Sequence, residues 1–93
     1  MPYISPVFRD TLRNKLDIDS LDKFEGIGSL NYLVSKLCAL YLSKERESYE
    51  NYNAVIGVLE CAKLELYRRQ IALYEEKKMR ENGDIYTDGY TYP

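Results

Sequence analysis

Two adjacent arginines, Arg68 and Arg69, close the apolar stretch "NAVIGVLECAKLELYRR", and a single carboxylate, Glu60, lies inside it. A guanidinium presents a planar fork of N–H donors that suits phosphate or carboxylate, so the arginine pair points to anion binding. On a helix the two side chains diverge by ~100°, which lets one pair locally with Glu65 while the other faces a cleft between chains. Glu60 shares a stripe with Asn53, Gly57 and Leu64. A carboxylate on such a stripe must be exposed at a groove, paired with Lys63 or with a neighbour's base, or bound to a ligand, because burying it alone is costly. Asn53 and Glu60 could then read polar groups of a ligand, and Tyr67 could stack on a ring. Asn31 and Tyr32, in "LNYLVSKL", are candidates for the opposite wall. Each also has a purely structural use: Asn31 can satisfy backbone groups in a first helical turn, and Tyr32 can pack as core.

Catalytic chemistry is poorly provided for. The 93 residues include no histidine, the commonest general acid or base and the commonest metal ligand. The two cysteines, Cys38 and Cys61, sit in apolar helical contexts without metal or redox spacing, and read as buried thiols. "EGIG" at Glu25 to Gly28 lacks the lysine and hydroxyl residue of a phosphate loop. The reading is therefore a non-enzymatic protein without a cofactor or a metal site. A formal net charge of −2 argues against a nucleic-acid partner. With no 18-residue apolar run and no signal-like N-terminus, neither a membrane span nor export is expected, and the predicted setting is cytoplasmic.

These side chains need helices to position them. Ser5 before Pro6 has the form of an N-cap and first helical residue, followed by Phe8, Leu12 and Leu16 at spacings of four. The segment "DIDSLDKFEGIG" reads as a connector, with a turn of helix at Ser20 to Phe24 and with Ile18, Leu21, Phe24 and Ile27 as tethers. A second helix is expected from a Ser29 cap, with Leu30, Leu33, Val34, Leu37, Cys38 and Tyr41 at helical spacing. A third begins near Ser48 and meets no stop signal until Asn82 and Gly83, ~50 Å of helix at 1.5 Å per residue. Its wheel places Ile56, Leu59, Leu66, Leu73 and Tyr74 on one side and Gly57, Leu64 and Ile71 nearly opposite. "YEEKKMRENG" reads as a solvated helix end with pairs such as Glu76 to Arg80.

The predicted fold is all-α: a short N-terminal helix and connector over residues 1–28, and an antiparallel helical hairpin over 29–83 whose second helix is very long. A tyrosine-rich tail follows over 84–93, either a strand-like arm or a disordered end. Two apolar faces on one helix need two partners, the second helix for one and another chain for the other. A homo-oligomer is therefore expected, all the more because so short a chain buries little of its surface alone.

At "SLNYLVSKLCALYL", "NAVIGVLECAKLELYRR" and "YEEKKMRENGDIY" the chain resembles a family of small proteins found in tailed bacteriophages and prophage-bearing bacteria, over about Ser29 to Tyr86. No established catalytic residue comes with that resemblance. The phage setting implies, by analogy of size and architecture, an anti-defence sponge acting in the bacterial host. In that reading inter-subunit pockets sequester a cyclic or ADP-ribose-derived nucleotide, with Arg68 or Arg69 on phosphate, Asn53 and Glu60 on polar groups, and Tyr32 or Tyr67 stacked. The alternative is a protein-interaction module that docks the second face of the long helix on a host or phage protein.

Overall fold

In the computed structural model, residues 2–17 and 25–87 are described, and among them no strand occurs. The chain divides into two units, Met1–Val58 and Leu59–Pro93. The division falls inside the long helix.

The first unit opens with α1, Pro6–Leu16. Ser5 caps it as its spacing predicts: the hydroxyl oxygen accepts the Phe8 N–H at 3.3 Å, and Pro6 occupies the first turn. Asp17 ends it in the left-handed conformation (φ 49°, ψ 51°), its N–H donating to the Arg13 carbonyl. The proposed turn at Ser20 to Phe24, and the tethers Ile18, Leu21 and Phe24, lie outside the described residues.

Helix α2 spans Ile27–Lys44 and starts two residues before the expected Ser29 cap. Gly26 is the cap instead, with φ 84° and ψ 179°, a backbone state open chiefly to glycine. Ser29 lies in the first turn, and its hydroxyl donates back to the Glu25 carbonyl at 3.2 Å. The segment from Glu45 to Ser48 then leads into α3, Tyr49–Leu66. Local bonds fix this entry. The Ser48 hydroxyl accepts the Asn51 N–H at 3.1 Å, Asn51 Nδ2 donates to the Arg46 carbonyl at 2.6 Å, and the Tyr52 hydroxyl donates to Glu47 at 2.7 Å.

The helical backbone continues through a π segment, Tyr67–Ile71, into α4, Ala72–Asn82. The helix start near Ser48 and its end at Gly83 agree with the sequence reading; the π segment was not foreseen. Gly83 closes α4 at φ 92°, with its N–H on the Met79 carbonyl at 2.8 Å. The π segment carries an i→i+5 bond from the Ala72 N–H to the Tyr67 carbonyl. Such a segment withdraws about one residue's rotation, ~100°. Within the second unit this corrects the straight-helix wheel: Leu73 turns away from the line of Leu59 and Leu66, while Tyr74 stays close to it.

No described residue is buried. In the first unit α1, α2 and the opening turns of α3 do not pack side by side, so the expected antiparallel hairpin is not formed there. The physical reason lies in the faces these helices carry: Leu30, Val34, Leu37, Leu40 and Tyr41 on α2, and Tyr52 and Ile56 on α3, remain exposed. The thiols follow suit. Cys38 is half-buried and Cys61 exposed, in place of the buried pair expected, because the described residues form no core to hold them.

Candidate functional site

The seven residues singled out from the sequence fall in both units. In the first, Asn31 and Tyr32 occupy the early turns of α2. Asn31 Oδ1 accepts the Ser35 hydroxyl at 3.3 Å, so its bond is made along the helix to a side chain and not to first-turn backbone. Tyr32 is 63% exposed and does not serve as core. Asn53 is exposed on α3.

In the second unit two of the three charged candidates are drawn into local bonds. Glu60 pairs with Lys63 at 2.9 Å, the simplest of its three alternatives, with both side chains well exposed. Arg68 Nη2 reaches Glu65 at 2.6 Å. Arg69, one residue on, has no partner among the described residues, as the divergence of adjacent side chains on a helix anticipates. Both arginines lie in the π segment, a local irregularity that frequently accompanies functional sites. Tyr67, first residue of that segment, donates its hydroxyl to Glu75 Oε1 at 2.6 Å. Glu60, Tyr67 and Arg68 thus each bond to a different carboxylate or ammonium side chain.

A concave feature of the second unit lies further on. A groove of about 550 Å³, open along one side, runs between α4 and the turn that follows it. Gly83 redirects the chain; the Tyr86 N–H then donates to Asp84 Oδ1 at 2.9 Å and the Thr87 N–H to the Asp84 carbonyl at 3.2 Å. The turn brings Ile85 and Tyr86 over Met79, Glu75 and Tyr67. Of the seven candidates, Tyr67 lines this groove. Glu75, Met79, Ile85 and Tyr86 were missed, although a signal existed: a cap glycine followed closely by an apolar residue commonly folds that residue back on the last helical turn. Reading the helix end as a solvated face was right for Glu76, paired with Arg80 at 3.7 Å, and for Lys78, paired with Glu81 at 3.3 Å and set 5.6 Å from the Tyr74 ring centroid. Residues 84–87 form a turn and not a strand; the rest of the tail lies outside the described residues.

A smaller hollow of about 260 Å³ in the first unit is bordered by Leu42, Arg46, Glu47 and Tyr52. It repeats one piece of chemistry. Tyr52 and Tyr67 each donate to a carboxylate, and this hydrogen bond, followed by the charge of the same carboxylate, holds both phenols above the ordinary tyrosine value of 10.0. Because the folded-state pKa is raised, the stabilisation is fully present below about pH 10 and is lost as pH rises through the shifted value. Glu75→Gln is therefore expected to make Tyr67 ionise earlier in an alkaline titration followed by near-ultraviolet absorbance. Superimposable titrations of the two proteins would show that the bond does not persist in solution. Among the described residues no group of histidine, cysteine or acidic side chains is arranged to hold a metal ion, and no helix is long and apolar enough to cross a membrane.

The profile of the family described as a domain of unknown function (DUF6899) matches residues 1–85, and the chain belongs to that family. The match reaches through α1, beyond the stretch from Ser29 on which the sequence resemblance rests. No curated protein and no solved structure matches the chain.

Proposed function

We propose that this member of the DUF6899 family is a non-enzymatic helical interaction module that works as a homo-oligomer. One observation carries the reading: no described residue is buried, and large apolar side chains stay exposed along every helix, among them Val7 at 77%, Ile27 at 81% and Ile56 at 64%. Monomeric proteins do not leave contiguous apolar faces of this extent in water. A second copy carries the same faces and is always at hand, and closed assemblies of identical chains are the commonest solution.

A second reading builds on the first and is favoured by Arg69. A guanidinium in an irregular π segment, without a partner among the described residues, is a candidate to receive an anion once a neighbouring chain encloses it. The assembly then sequesters a small anionic, nucleotide-like signalling molecule, and depletion of that molecule counters host immune signalling.

Light scattering at micromolar concentration and native mass spectrometry with a panel of cyclic nucleotides and cyclic ADP-ribose isomers test both readings. A discrete oligomer is expected, and a monomer mass would sink the proposal. If the second reading holds, the oligomer retains one of the nucleotides, and Arg69→Ala keeps the mass but loses the ligand. Arg68→Ala should cost no more than the ~0.2–0.5 kcal/mol of a helical ion pair. Equal retention by wild type and both variants would remove the arginines from the site.

A further inference from the structure

We propose that the groove between α4 and the turn after Gly83 binds an organic cation, a guanidinium or alkylammonium group carried on a short apolar stem. The inference concerns the second unit alone and does not depend on the nucleotide reading. At about 550 Å³ the groove falls within the range of small-molecule sites. Its lining sets three carboxylates, Glu75, Glu76 and Asp84, against one ammonium, Lys78. Glu76 and Lys78 are already neutralised by Arg80 and Glu81. Glu75 is not: it accepts the Tyr67 hydroxyl at 2.6 Å, a bond that orients the carboxylate without cancelling its charge. No cation pairs with Glu75 among the described residues.

The surroundings select among cations. Tyr67 and Tyr86 both line the groove, and an aromatic ring attracts a positive group through the negative quadrupole of its face. Ala72, Met79 and Ile85 add apolar surface for a stem. Among the described residues no group of acidic side chains is arranged to hold a metal ion. An anion meets the uncancelled charge of Glu75. A neutral apolar guest would strip water from Glu75 and return nothing to it. An organic cation satisfies the carboxylate, the rings and the apolar floor together.

The full-length protein, in whatever assembly it forms, would be titrated with n-butylguanidinium and with n-butylurea, a neutral isostere, while tyrosine ring resonances are followed by NMR. The expected result is saturable shifts at Tyr67 and Tyr86 with butylguanidinium, and binding about tenfold weaker with the urea. Glu75→Gln should bring guanidinium binding down to the level of the urea. Tyr86→Leu, placed beyond the helix and therefore harmless to it, should weaken guanidinium more than urea. N-acetylarginine N-methylamide separates the sources: binding as tight as butylguanidinium assigns the cation to an arginine side chain of a protein, and much weaker binding assigns it to a free small molecule. Equal affinity for guanidinium and urea, absence of saturation, or unchanged binding by Glu75→Gln in a variant with native helicity would overturn the proposal. Light scattering on the same samples reports the oligomer separately, so a failed titration and a failed assembly are told apart.

Discussion

Ile56→Glu is expected to dissociate the assembly and to unfold most of the chain at micromolar concentration. In the single chain Ile56 is 64% exposed on α3. Were that its environment in solution, the change would sit within about 0.5 kcal/mol, as surface substitutions usually do, and glutamate would serve the helix slightly better than isoleucine. An interface reverses this. Burying an isoleucine side chain is worth about 1.5–3 kcal/mol, all of which is lost, and the new carboxylate must be desolvated without a partner or driven out with its helix. Symmetry compounds the loss, since every copy carries the variant at each equivalent contact. Against a total stability of about 5–15 kcal/mol for a domain, this is enough to empty the folded state. Mass by light scattering and helicity by circular dichroism, read at the same concentration, decide the matter. A variant with wild-type mass and an unchanged melting curve would make the Ile56 side a solvated face.

The helices themselves were legible because their signals are local. Ser5 with Pro6, Ser48 at the start of α3 and Gly83 at the end of α4 each act through bonds spanning three or four residues, and such bonds form whatever the rest of the chain does. Ser29 misled because a serine near a helix start has two uses, capping the turn ahead or donating to a carbonyl behind, and a glycine with positive φ three residues earlier had already started the helix. The π segment was illegible for a different reason. Its cause is one surplus residue in the turn-by-turn register, and no residue type in "YRRQI" encodes that. Without it Leu73 is placed on the wrong face, so the apolar stripe of a long helix is trustworthy only up to the irregularity. The candidate site was the least readable part. Glu60, Arg68 and Tyr67 stood out as charged or aromatic groups in an apolar run, yet their partners Lys63, Glu65 and Glu75 lie on the same helix. Spacing gave the first two pairs. The third spans eight residues across the π segment, a separation that no helical rule suggests.

Gly57 tests the other side of α3, and the sign of the effect is the result. Glycine in the middle of a helix costs roughly 0.5–1 kcal/mol relative to alanine, and within the single chain nothing explains its presence: a Cβ built there meets no atom within 4 Å. On a solvated helix both Gly57→Ala and Gly57→Leu would therefore raise the melting temperature, since alanine and leucine are among the best helix formers. Self-assembly predicts the reverse for leucine. If a neighbouring helix closes on the backbone at Gly57, a four-carbon side chain overpacks the contact at a cost of about 1–3 kcal/mol, which outweighs the propensity gain. Gly57→Leu is then expected to lower the melting temperature and shift the mass distribution toward smaller species, with Gly57→Ala lying between it and wild type. The wild-type melting temperature should itself rise with protein concentration, as it must when folding is linked to association. A Gly57→Leu protein that melts higher than wild type at every concentration would show that this side of α3 faces water, and would confine the interface to the side that carries Ile56.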